Sequence, residues 1–271
     1  MTTHQGNHDN PSLPLFYPPY VEDEAARAFL DDHDPDLVLA AFRDAAGGPT
    51  YMRRLGAMAR AVLRSGTRPR KVLDVCAGAG DLGRILGLLE RGCTVDFLDR
   101  DRFSLALTGR INRRRRVRGR LLERDLWDED WGTGLSGDYD VIACAGGLST
   151  LDEDRMREVF ADFQRMLRDG GQLLLNGPTT GAGEAPSDGD SSPRWNAFFR
   201  RLDRHLGGSR RRTMVSAVPP GRHPIDDAGL PIRTYLRALA DAGFGKAEVV
   251  DRNAGEVTIL ATWEVFGVQA A

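Results

Sequence analysis

Val72-Leu-Asp-Val-Cys-Ala-Gly-Ala-Gly-Asp-Leu-Gly83 is the stretch whose residue types and spacing most plainly suit chemistry. An apolar run ends in Gly78, Gly80 and Gly83, spaced as G-x-G-x-x-G, and a helical pattern opens at Asp81. Glycine lets a backbone turn sharply and approach a ligand closely. Following a strand and opening a helix, the triplet reads as a nucleotide-type loop, a class that dinucleotide enzymes share. Asp74 shifts the balance. A pyrophosphate favours a helix N-terminus without a carboxylate beside it, whereas an acid there suits a ligand bearing a positive group. A second acid, Asp99, closes the next apolar run, 19 residues beyond Gly80, where it reaches ribose hydroxyls. A third, Asp125, follows Leu121-Leu-Glu-Arg and can accept a hydrogen bond from an adenine amino group, with Leu126 or Trp127 covering the ring.

A cationic, phosphate-free nucleoside meets all three acids, and S-adenosylmethionine is one. At these residues the sequence resembles the class I S-adenosylmethionine-dependent methyltransferases over about 70–180 and 230–265. Asp74-Val-Cys-Ala-Gly-Ala-Gly80 is similar to the family's D-x-G-x-G-x-G, with Cys76 in place of the first glycine. The resemblance implies that Cys76, Ala77, Gly78 and Gly80 cradle the cofactor, that Asp74, Asp99 and Arg100 contact it, and that Asp125 and Leu126 hold its base. Ala145 and Gly146, in Tyr139-Asp-Val-Ile-Ala-Cys-Ala-Gly-Gly147, are expected to line it from the fourth strand's end. Tyr51 and Arg54 lie on a helix before the first strand, where family members bind the cofactor's carboxylate. The planar fork of Arg suits that role, and a core Tyr beside a solvated Arg is the equal alternative.

Methyl transfer from a sulfonium is an in-line displacement, so alignment and water exclusion matter most. A base is needed only for a protonated nucleophile. His223, between Arg222 and Pro224, and then His205 are the candidate bases. Tyr17, Tyr20, Trp195 and Phe199 are candidates for an aromatic acceptor wall, although Trp195, Phe198 and Phe199 also fit a helix core. No Asn-Pro-Pro-Tyr-type motif follows the fourth strand, which argues against adenine- or glutamine-N-methylating branches. The expected reaction is methylation of O or N, with C as a further option, on a small organic acceptor, in bacterial natural-product biosynthesis, with S-adenosylhomocysteine as product. An RNA methyltransferase, an NAD(P)-binding oxidoreductase and a non-catalytic S-adenosylmethionine-binding protein are the alternatives.

Elements must hold these residues in place. The periodicity predicts helices within 22–64 broken at Gly47-Gly48-Pro49, with Leu37, Leu39, Ala40, Ala41 and Phe42 as one apolar cluster. Strands are expected at 71–76, 94–98, 119–123, 140–144, 172–176, 245–250 and 256–264. Helices are expected at 81–91, 102–110, 152–168 and 232–242, with Asp152 as a cap and Gly170-Gly171 as a stop. This alternation implies an α/β, Rossmann-like three-layer sandwich. The resemblance adds a seven-stranded, mostly parallel sheet with an antiparallel last strand. The chain divides into a flexible arm (1–20), a helical N-terminal cap (21–68) and the main domain (69–271), which carries a substrate-side insert at 177–230 after strand five. A helix at 194–206 is expected within that insert.

The sequence has 271 residues and a net charge of −2, so the molecule as a whole is no polyanion binder. All its cations except Lys71 and Lys246 are arginine. Arg110-Ile-Asn-Arg-Arg-Arg-Arg-Val-Arg-Gly-Arg120 is a sharp nucleic-acid motif taken alone. Its place at a sheet edge and the absence of an RNA-binding appendage favour a solvated helix end in an Arg-biased proteome. Arg210-Arg-Arg212 lies nearer the acceptor side. The three cysteines show no metal spacing, so no metal is expected. The first twenty residues have neither the basic start nor the apolar stretch of a signal peptide, and no apolar run approaches the ~18–20 residues that span a bilayer. A reduced, cytoplasmic protein is expected, acting on a small-molecule acceptor without membrane or nucleic acid, with a homodimer left open.

Overall fold

Five apolar runs pair side by side because each is flanked by a helix that returns the chain to the same end of the sheet. In the computed structural model, residues 24–148, 151–179, 230–253 and 255–264 are described. β1 (Lys71–Val75) leads through a glycine loop into α4 (Asp81–Leu89), then β2 (Thr94–Asp99), α5 (Arg102–Arg115) and β3 (Leu121–Glu123). β4 (Tyr139–Ala145), α6 (Glu153–Met166) and β5 (Leu167–Pro178) follow, then α7 (Ile232–Asp241), β6 (Lys246–Asn253) and β7 (Glu256–Thr262). Before them come α1 (Glu24–Asp32), α2 (Pro35–Ala45) and α3 (Pro49–Arg64).

The sheet runs β3-β2-β1-β4-β5-β7-β6. β7 is antiparallel to both its neighbours, and the pairs among β1–β5 are parallel. The fold is Rossmann-like. Alternate residues of each strand serve opposite cores. Leu73, Val75, Ile142 and Leu173 pack with Val159, Phe160, Phe163 and Leu239 of α6 and α7. Val72, Val95, Val141 and Leu174 pack with Leu55, Met58, Leu82 and Leu86 of α3 and α4. Burial on both faces is why these strands read as unbroken apolar runs. The order reverses between β1 and β4, and open α/β sheets bind ligands at the carboxyl ends of their strands at such a switch point.

Several expectations are corrected. α5 does not stop near Arg110 but continues to Arg115, and Arg116 caps it at φ 56°. The arginine run is helical because it faces the acids of the cap. Arg110 pairs with Asp31 at 2.5 Å, Arg114 with Asp34 and Asp36 at 2.7 and 2.8 Å, and Arg115 with Asp36 at 3.2 Å. Arg120 pairs with Asp96 in β2 at 2.6 Å. Gly170-Gly171 does not end α6. Leu167 is already extended and pairs with Tyr139, and the register shifts before Val141 meets Gln172. β5 therefore begins five residues earlier than the expected Gln172 and runs on to Pro178, inside the expected insert. Leu37 leaves the apolar cluster at 72% exposure, and Ala40 and Ala41 are exposed too. Pro35, Val38, Leu39, Phe42 and Ala45 share the buried face instead, as helical spacing requires. The Asp152 cap is as expected, its carboxylate accepting from the Arg155 N–H at 2.7 Å. No helix among the described residues is long and apolar enough to cross a membrane.

Candidate active site

At the end of β1 the chain leaves the sheet through three left-handed residues, Cys76, Gly78 and Gly80, at φ 52°, 53° and 72°. The Ala77 N–H donates to the Leu98 carbonyl at 3.0 Å, tying the loop to β2, and the Gly80 N–H donates to the Ala77 carbonyl at 2.7 Å. Gly80 caps α4. A Cβ there would stand 2.6 Å from Cγ2 of Thr108, so both the backbone conformation and the space demand glycine. A Cβ on Gly83 would stand 2.8 Å from Cβ of Asp74.

Asp74 lies behind this loop at 1% exposure, its Oδ2 accepting from the Gly83 N–H at 2.8 Å. Burial pushes its carboxyl up to about 8, against the opposing pull of the Gly83 amide and Arg84. Asp99, at the end of β2, accepts from the Gly78 N–H at 2.7 Å and the Asp101 N–H at 2.8 Å. Burial raises it to about 6. Arg100 reaches across to Asp125 at 3.4 Å, and Asp125 also accepts from the Trp127 N–H at 3.1 Å. Leu126 is buried beside them. The sheet thus brings Asp74, the Cys76–Gly80 loop, Asp99, Arg100 and Asp125 together along the carboxyl ends of β1, β2 and β3. Ala145 and Gly146 add the end of β4, and a Cβ built on Gly146 meets nothing within 4 Å.

Cys76 is turned by its left-handed backbone onto the face that Cys144 occupies. Its Sγ lies 2.7 Å from where a Cβ of Gly147 would stand. A hydrogen bond with Cys144, together with burial, holds the Cys76 thiol well above its ordinary range. Tyr51 is buried at the start of α3, and burial pushes its phenol upward. The Arg54 guanidinium stacks over the Tyr51 ring at 5.3 Å and pairs with Glu256 at the start of β7. Glu256 pairs with Pro178 at the carboxyl end of β5, and the Tyr51 ring lies near enough to Asp81 and Asp74 for their charges to act on it. Tyr17, Tyr20, Trp195, Phe198, Phe199, His205, His223 and Arg210-Arg-Arg212 lie outside the described residues, as do the arm and most of the insert.

Sequence reasoning missed a charged buttress behind the loop. Arg43 of α2 grips Asp81 through Nε at 3.0 Å and Nη2 at 2.6 Å. Arg84, at 3% exposure, donates to Asp81 at 2.9 Å, to the Ala79 carbonyl at 2.7 Å and to Asn112 at 2.7 Å. Burial lowers its guanidinium's affinity for the proton. Phe42, one residue before Arg43, lies 3.1 Å from a Cβ position on Gly78. The available signal was Asp81 in the first turn of α4, an acid that suits the helix dipole and looked complete without a partner.

Comparison with known proteins agrees with this geometry. Residues 73–173 match a family described as a methyltransferase domain. No curated protein matches the chain. Among solved structures, an O-methyltransferase family protein from Burkholderia thailandensis is similar at 18% identity and a TM-score of 0.58. The match covers 87% of this chain and 62% of that one. Human N-acetylserotonin methyltransferase, solved in complex with S-adenosylmethionine, is similar at 13% identity and a TM-score of 0.52, covering 90% of this chain and 61% of that one. The chain thus spans about three fifths of the length of either protein. At these identities the likeness is one of fold. The segment that matches a methyltransferase domain, residues 73–173, thus holds the glycine loop and the acids Asp74, Asp99 and Asp125 within a Rossmann-like sheet.

Proposed function

We propose that this protein transfers a methyl group from S-adenosylmethionine to an oxygen or nitrogen, or in a further option a carbon, of a small organic acceptor, releasing S-adenosylhomocysteine. One observation carries the reading. Three adjacent parallel strands end in a left-handed glycine loop, an acid bonded to that loop, and a second acid one strand further out. The site fits a nucleoside. Asp99 is fixed by two backbone amides and keeps carboxylate lone pairs for further donors. Asp125 stands one strand away for a base, and the space beside Gly146 is open. The sulfonium supplies an activated methyl whose departure leaves a neutral thioether. This chain's residues need to orient the nucleoside, align the acceptor and keep water out.

The acceptor side is expected over the ends of β4 and β5, with His223 or His205 as base where the nucleophile carries a proton, and Tyr17, Tyr20, Trp195 and Phe199 as its apolar wall. A role in bacterial natural-product biosynthesis and a cytoplasmic setting belong to the same proposal. Arg110, Arg114 and Arg115 are paired with acids of the cap and so lend no separate support to RNA as acceptor. Calorimetry tests the reading. S-adenosylhomocysteine is expected to bind with a dissociation constant on the order of micromolar. Binding of NADH in its place would overturn the proposal.

A further inference from the structure

The turn after β3 carries Asp125 and Leu126, and α6 holds it from outside the site. Arg155 stands in the first turn of α6 with its side chain 11% exposed. Its Nε donates to the Leu126 carbonyl at 2.7 Å and its Nη2 to the Asp128 carbonyl at 2.5 Å. Nη1 pairs with Glu158 at 2.6 Å. All three guanidinium nitrogens are thus engaged, in a planar fork that lysine cannot reproduce. Two helical turns further along the same face, Asp162 accepts the Trp131 indole N–H at 2.8 Å. Trp131 is fully buried. α6 therefore grips the segment at both ends. On its inner side the segment is tied to β2 by the Arg124 N–H on the Asp99 carbonyl at 3.1 Å and by Arg100 on Asp125.

We propose that Arg155 is a positioning residue for recognition of the nucleoside base. By holding the carbonyls of Leu126 and Asp128 it fixes where Asp125 and Leu126 stand, and it acts only through them. The inference rests on the nucleoside reading above. Its second consequence is mechanical. α6 begins directly after the loop that follows β4, so one rigid helix sets both the base end of the site and the loop beside Gly146 and Gly147.

The test is calorimetry on the full chain with S-adenosylhomocysteine and with S-inosylhomocysteine, whose base carries a carbonyl in place of the amino group. Wild type is expected to prefer the adenine form by on the order of ten-fold, the effect of one lost hydrogen bond and one unpaired group. Arg155→Met should bind S-adenosylhomocysteine roughly ten-fold more weakly and lose most of that preference. Arg155→Lys, which reaches one carbonyl, should fall between and decides the matter if Arg155→Met does not fold. Asp162→Asn loosens the far end and should lower the melting temperature while leaving the preference intact. A merely structural Arg155 would move melting temperature and leave the preference alone, and that result overturns the inference. If wild type binds S-adenosylhomocysteine and the Arg155 variants match it in affinity and preference, the inference falls and the cofactor reading stands. If wild type binds neither compound, both fall.

Discussion

Asp74 shows how far a residue's type and its setting can diverge. As a carboxylate at a strand end it suits a cationic ligand, yet its oxygen serves the Gly83 amide and it is shut from water. Its folded-state value, near 8, is above the ordinary value near 4 of an unfolded chain. The sign of the linkage follows. A raised acid contributes its stability fully below about pH 4 and loses it as pH rises through 8. Asp74→Asn keeps an acceptor for Gly83 and removes the charge. The variant is expected to melt well above wild type at pH 9, and the gap should close below about pH 5, by up to a few kcal/mol in total. Thermal melts across that range check it, and a gap independent of pH would refute it. Asp99 and Asp125 were legible because a strand end can be read from sequence. Arg43 and Arg155 were not, because in a chain with so many arginines residue type carries no signal and only packing chooses the partner.

Elements were legible wherever burial was one-sided in period or unbroken in run. All seven strands stand near their expected places, since buried parallel strands advertise themselves. The errors fell where local signals competed with pairing. Two glycines looked like a helix stop, but Leu167 was drawn into register with Tyr139 first. The arginine run looked like a solvated helix end past Arg110, but the helix continues to Arg115, where Arg110 and Arg114 meet acids of α1 and of the start of α2. These ion pairs are exposed and screened by water, so each contributes little to stability. The contact between α2 and α4 is different in kind. Arg43→Met would leave Asp81, at 1% exposure, with Arg84 as its remaining guanidinium partner. Loss of a buried partner costs about 2–4 kcal/mol, discounted here because Arg84 stays. Urea unfolding should show that loss with little change in slope, and a loss under 0.5 kcal/mol, on the scale of an ordinary surface change, would count against the buttress.

At the scale of the whole molecule, the reversal of strand order between β1 and β4 decides where a ligand can sit; the family likeness implied seven strands with the last antiparallel, and only the pairing gave their order. What lay beyond reach was how the N-terminal helices seat on the sheet, since nothing in a helix's period names the surface it will cover. Ligand binding at the crevice should stabilise the assembled fold. S-adenosylhomocysteine at a hundred times its dissociation constant is expected to add about 2.7 kcal/mol, a rise of several degrees in melting temperature. Asp99→Ala should abolish most of that rise while leaving the ligand-free melt within a few degrees, and an undiminished rise would remove Asp99 from the site. The sharing of the Asp81 carboxylate by Arg43 and Arg84 has an evolutionary consequence. Two guanidinium groups and one carboxylate drawn from a cap helix and a loop helix cannot drift separately. Homologues that lose the cation at position 43 should lose the charge at 81 or 84 with it, and a chimera that swaps the cap between relatives will need those positions to travel together.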